Sequence, residues 1–231
     1  MSAIVQFPRP KPSNPLGVTL ALHSDATRAE HDEGLAWVRW MFQSIRIRCE
    51  AIVFETHSTE RSRIIADWQG FAEQAWRHAL APMLLQAWRA AEHGDLPRLV
   101  ELAAGFGAQL NERARERSAA AGELLLGATR GAKYPGVLGQ LRQQVTHNGC
   151  AAHLAVVWPT VAVLFQLPPH DVLTEYLREE WLTGLREHPH PSEPQGPLSF
   201  SAMAHRALRE SRMGTIYEQA IVPHSEEGIA S

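Results

Sequence analysis

The sequence predicts an all-α protein, a single-domain bundle of about seven helices. Three observations carry this. Apolar residues recur at three- and four-residue steps through most of the 231 residues. The one β-branched run, Ile52-Val53-Phe54, has no second strand to pair with. The stretches between periodic runs are short and marked by Gly, Pro and Asp. A chain of this length buries a substantial core as one unit.

Residues 1–30 read as a flexible arm, because Pro8, Pro10, Pro12 and Pro15 break it repeatedly. From Glu33 to about His57, Leu35, Val38, Phe42, Ile45, Cys49 and Ile52 form one seam, so the helix is expected to run on through Ile52. Glu30-His31-Asp32-Glu33 supplies a negatively charged start for it. Trp37 and Trp40 cannot easily share the face of that seam, which makes one of them a candidate for a protein–protein surface. Ser58 or Thr59 is placed to cap a second helix, with Ile64, Ile65, Trp68, Phe71, Ala75, Trp76 and Leu80 on one face. Pro82 then bends or restarts it before a segment from Met83 to His93.

Gly94-Asp95 is a corner: Gly suits a left-handed helix end, Asp caps the next helix, and Pro97 falls in its first turn. Beyond it, Leu96, Leu99, Val100, Ala103, Phe106 and Leu110 are expected to continue as one long helix, through the charged block from Glu112 to Arg117, to Leu124-Leu125-Leu126. The stretch from Gly127 to Gly136 is a loop by composition and lacks the spacing of a phosphate-binding loop. Val137 to Asn148 is amphipathic, with Leu138, Leu141 and Val145 inward. Cys150 to Leu167 is a buried helix ended by Pro168-Pro169, and Asp171 is placed to cap Val172 to Glu187. His188 to Leu198 is a Pro-rich linker, and 199–231 holds a last amphipathic helix, carrying Met203, Ala204 and Leu208, and a tail.

Net charge is -3 and the pI about 6.5, which argues against nucleic acid or acidic lipid as partner. The most apolar run is short for a membrane span and carries His153, Pro159 and Gln166. Two cysteines far apart, Cys49 and Cys150, fit a reducing compartment, so the expected location is cytoplasmic. No catalytic or dinucleotide motif is present, and no carboxylate pair stands in a context that suggests a raised pKa. The nearest approaches to a metal ligand set are His147 with Cys150, extended by His153, and His188 with His190 in the linker. Each is explained as well by surface histidines and a buried thiol, and no resident metal or cofactor is expected.

The Gly94-Asp95 corner, followed by Arg115, Ser118 and Gly122 ahead of Leu124, resembles the urease accessory protein UreF family. The end of the chain is similar too: Glu210, Ser211, Met213, Ile216 and Tyr217 agree in class with the family's terminal pattern, although Thr215 stands where the family has Arg. The resemblance covers about Trp76 to the C-terminus. The family's opening Pro-x-Gly-Gly/Ala-aromatic-Ser loop has no counterpart between Met41 and Thr59, which contain neither Gly nor Pro.

The resemblance implies a non-enzymatic, dimeric scaffold. Its C-terminal region would order against a partner accessory protein (UreD/UreH), and the complex would bring the nickel-carrying GTPase UreG to apo-urease. It implies partner contacts at Met203, Glu210, Met213 and Tyr217, with Arg115, Ser118 and Gly122 as a second patch or as fold determinants. The competing reading is a helical-bundle enzyme, haem-oxygenase-like or metal-dependent, that binds a metal or cofactor through interior His and Cys.

Overall fold

A computed structural model of the chain describes residues 25–49, 51–129, 136–188 and 192–221, with side chains from 31 to 212 among these. It is helical throughout, and no strand occurs among the described residues. The elements are α1 (Asp25–Arg48), α2 (Arg61–Phe71), a π-helical segment (Ala72–Leu80), α3 (Ala81–Glu92), α4 (Leu96–Gln109), α5 (Glu112–Ala128), α6 (Val137–His147), α7 (Leu154–Leu164), α8 (Pro169–Gly184), a 3₁₀ turn (Gly196–Leu198) and α9 (Phe200–Ile221). Residues 61–92 form one unbroken rod, so the described chain makes eight rods.

α7 is the axis. Every residue from Leu154 to Ala162 is buried, and the helix packs on α3 and α5, with α4, α6 and α8 closing around it. Pro159 removes one N–H from inside this helix, while the Thr160 hydroxyl donates to the Val156 carbonyl at 2.9 Å. The helix starts at Leu154, not at Cys150. Gly149 sits at φ 68° and turns the chain out of α6, and His153 is the residue before the first turn of α7.

The corner is as its sequence indicates. Gly94 has φ 70°, the Asp95 and Gly94 N–H groups close on the Ala90 and Ala91 carbonyls at 2.8 and 3.1 Å, and the Asp95 carboxylate accepts from Arg98 N at 3.0 Å. Pro82 lies at the start of α3. The turns before it open to π geometry, which gives the proline ring room where an α turn would press it on the carbonyl four residues back.

Neither Ser58 nor Thr59 caps α2: Glu60 stands at the N-cap position and makes no side-chain cap bond. Four further expectations need correction. The long helix after the corner is two helices: Leu110 turns to ψ 145°, and Asn111 caps α5 by accepting from Ala114 N at 2.8 Å. α1 begins at Asp25, inside the expected arm, and ends at Arg48 instead of running through Ile52. The seam continues past that end because Ile52 and Phe54 stay buried in irregular backbone, whose N–H groups at Val53 and Phe54 both donate to Glu180 at 2.9 Å. Asp171 does not cap α8; Pro168 occupies that place, and the Asp171 carboxylate meets His31 Nε2 at 2.6 Å. Residues 1–24, most of the loop after α5, and 189–191 of the linker, including His190, lie outside the described residues.

Tryptophans tie these rods together by both faces of their chemistry. Trp68 stacks on Phe71 and lies edge-on to Phe54, Trp181 and Phe200, with ring centroids 4.8 to 5.9 Å apart. Its indole N–H reaches the Leu198 carbonyl at 3.1 Å, as Trp88 reaches Leu167 and Trp158 reaches Val172.

Candidate partner-docking surface

The C-terminal helix builds one wall of a concavity. α9 lies on α8 with Phe200, Met203, Ala204 and Ala207 buried, and its other side faces the rod of α2, π segment and α3. Between them is a cleft of about 510 Å³. Its floor is apolar, with Trp76, Pro82, Leu85 and Met203; its rim carries Arg77, Arg89, Arg98 and Arg206 against Glu73 and Glu210. Arg77 pairs with Glu210 at 3.0 Å, and Arg89 donates to the Ser211 hydroxyl at 3.3 Å. Cationic lining is thus in excess, on a chain that is net negative.

The expected contact residues divide. Glu210 and Arg115 are accessible, and Glu210 stands at the cleft rim. Met203 is buried in the cleft floor between α9 and the core, where the expected partner contact is not open to it. Ser118 and Gly122 are interior too, because α5 crosses the strand of chain before α7 at backbone distance. A Cβ built on Gly122 would stand 1.7 Å from the Ala152 carbonyl oxygen, so the site requires glycine for packing. These two are positions that shape the fold, not a surface patch. Met213 and Tyr217 lie on the α9 backbone, with side chains outside the described residues.

The candidate metal ligands do not converge. His147 ends α6 and is exposed, Cys150 is half-buried in the connection, and His153 is buried against Phe106 with Nδ1 unpartnered. Burial, and then Arg115, hold the His153 pKa below the ordinary imidazole value. His188 is half-buried at the end of the described segment. Among the described residues no group of three or more His, Cys, Asp or Glu is placed to hold a metal ion.

What sequence reasoning missed is a row of buried acids on α8. Glu175, Glu179 and Glu180 are all within 3 % of full burial. Glu175 takes a two-point hydrogen bond from Arg39 at 2.6 and 3.0 Å. Glu179 has Arg46 Nε 3.3 Å away but out of line for a hydrogen bond, and burial outweighs that cation to push its pKa to about 8. Burial likewise raises Glu180 to about 7, against the two backbone donors that favour its charge. The expectation that no carboxylate here is raised is therefore corrected. The acids face α1 and the backbone of residues 53–54, not a cleft, so their work is to position the N-terminal part of the fold.

Among the described residues, fold and site define an all-helical protein whose polar side chains hold helices together and rim a cleft. The UreF family model matches residues 63–185, more than half of the chain, and the chain belongs to this family of urease accessory proteins. The match spans α2 to α8, starting ahead of Trp76 and stopping at Leu185, before the tail residues that carried part of the resemblance. No curated protein and no solved structure matches the chain. No helix among the described residues is long and apolar enough to cross a membrane.

Proposed function

We propose that the chain is a non-enzymatic, cytoplasmic scaffold for urease maturation. It docks a partner accessory protein of the UreD/UreH type at the cleft under α9, and in that complex it brings a nickel-carrying UreG-type GTPase to apo-urease, acting as a homodimer. The observation that supports this reading is the arginine rim over an apolar floor, built with the C-terminal helix of a UreF-family chain. Guanidinium groups are planar, five-donor forks that match carboxylates, and an apolar floor accepts the side chains between them. The partner surface is accordingly acidic with apolar residues interleaved. Nickel passes between the other components in this scheme, and no ligand set on this chain is needed.

The test is co-purification of the full chain with UreD/UreH-type and UreG-type partners, with metal analysis of the eluate. Removing everything beyond Pro194 would also strip Phe200, Met203 and Ala204 from the core, so point variants are the cleaner tool. Arg206→Glu and Arg89→Glu are expected to lose the partner while keeping the helical spectrum. Retention of the partner by both variants would move docking away from the cleft. Stoichiometric metal with no partner would replace the scaffold by a helical metalloprotein.

A further inference from the structure

Histidines join α8 to α9 at a place the docking scheme does not use. The Pro168-Pro169 pair delivers His170 into the first turn of α8, and the 3₁₀ turn Gly196–Leu198 delivers Ser201 into the first turn of α9. His170 Nε2 lies 3.2 Å from the Ser201 hydroxyl, and its Nδ1 lies 3.2 Å from Asp171 Oδ1. Asp171 Oδ2 in turn meets His31 Nε2 of α1 at 2.6 Å. One turn beyond Ser201, on the same face of α9, His205 lays its ring against His170, with centroids 4.3 Å apart. His205 is exposed, and neither of its nitrogens has a hydrogen-bond partner among the described residues.

These contacts meet the conditions of a metal-binding imidazole. An ionised carboxylate only accepts, so Asp171 fixes the His170 proton on Nδ1 and leaves the Nε2 lone pair facing α9, where the Ser201 hydroxyl donates to it. A carboxylate behind an imidazole orients a histidine ligand and raises its basicity. His31 holds that carboxylate from the α1 side and so fixes its direction. Two imidazoles on one ion, with each nitrogen about 2.0–2.1 Å from it, set their ring centroids about 4.5 to 5 Å apart. The pair on α8 and α9 already stands close to that spacing, and the exposed His205 ring is free to turn its nitrogen inward. Imidazole suits zinc, copper and nickel, whereas magnesium and calcium take oxygen ligands. Among the described residues no three ligands converge, so water fills the other positions and the ion exchanges with solution.

We infer that His170 and His205 form an exchangeable site for a divalent transition-metal ion that staples the start of α9 to α8. The ion takes the place of the Ser201 proton at His170 Nε2, and Asp171 acts from behind His170 as a positioning residue. None of these residues lines the cleft under α9. Partner co-purification without added metal tests that cleft separately.

The experiment titrates the full, untagged chain with Ni²⁺ and with Zn²⁺, with Mg²⁺ as control, and follows the histidine ring signals by NMR. Paramagnetic Ni²⁺ is expected to broaden His170 and His205 first, at concentrations that leave the exposed His57, His93 and His147 sharp, and Mg²⁺ to change nothing. In calorimetry with Zn²⁺, His205→Ala should abolish that binding step, and Asp171→Asn should weaken it about tenfold. Ser201→Ala removes the competitor for Nε2 and should bind at least as tightly as wild type. Because His205 is exposed, its substitution leaves the fold intact. Equal affinity in wild type and His205→Ala, or broadening shared evenly among the exposed histidines, would overturn the inference and leave an adventitious ion only.

Discussion

α1 and α9, the two helices outside the matched segment, are fastened to the same core helix by opposite means. α1 is joined to α8 through charge: His31 to Asp171, Arg39 to Glu175 and Arg46 beside Glu179, over the apolar seam of Val38, Phe42 and Ile45. α9 is joined through rings and small residues: Phe200 under the Arg178 guanidinium of α8 and against Trp68 of the α2 rod, His205 against His170 of α8, then Met203, Ala204 and Ala207. The difference teaches which helix answers to solution conditions. Apolar burial is nearly indifferent to pH, whereas a buried carboxylate ties stability to proton binding.

The comparison is tested most strongly at Phe200. Phe200→Ala removes a ring buried among aromatics and is expected to cost about 4 kcal/mol, by the same amount at pH 6 and pH 8, as read by urea denaturation. On the other side, Arg39→Met leaves the buried Glu175 carboxylate without its two-point donor. The arginine is half exposed, which discounts the loss to about 2 kcal/mol. Hydrogen exchange should localise that loss to α1 and leave α9 protected.

A smaller effect sharpens the contrast through pH. Glu179 and Glu180 have pKa values raised to about 8 and about 7, so the folded chain holds protons that the unfolded chain has released. Stability is therefore greatest near pH 5 and falls as pH rises toward 8. Glu179→Gln should be nearly neutral at pH 5.5 and more stable than wild type by about 1 kcal/mol at pH 8. Arg46, Glu175 and Glu180 still face the site in that variant, so the slope flattens without vanishing. A variant curve parallel to wild type would place the titration elsewhere.

Much of this was legible in the sequence, and the failures share a cause. The Gly94-Asp95 corner, the seam of α2 and the burial of Trp68 and Trp76 were read from local spacing, because each depends on residues a few positions apart. Trp40, singled out with Trp37 as a surface candidate, is indeed exposed. The Asn111 cap was also local; it was hidden by the charged block that follows it, whose Arg113 and Arg117 hold Glu55 instead of facing solvent alone. The buried acids had no local signature at all. Glu180 finds its donors at Val53 and Phe54, more than 120 residues away, and the same contact ends the helical reading of that segment. Ser118 and Gly122 carried the family resemblance, and their interior position depends on the approach of Ala152. A pattern of letters shows that such positions matter without showing which side of the helix they serve.

The smallest expected effect separates holding α9 from offering it to a partner. Arg77 and Glu210 pair at 3.0 Å across the cleft, both partly exposed, so either single substitution to Ala should cost about 0.5 kcal/mol or less. Exchanging them, Arg77→Glu with Glu210→Arg, preserves an ion pair between the two rods and should return thermal stability to that of wild type. It also places a cation on α9 where the rim had an anion, and an anion on the π segment where it had a cation. If the cleft binds an acidic surface by the net excess of arginines, the exchange leaves that excess unchanged and binding falls only modestly. If docking instead reads Glu210 itself, binding falls as far in the exchanged chain as in Glu210→Ala. Titration calorimetry on the three variants decides between these, because none of them disturbs the rings that hold α9 in place.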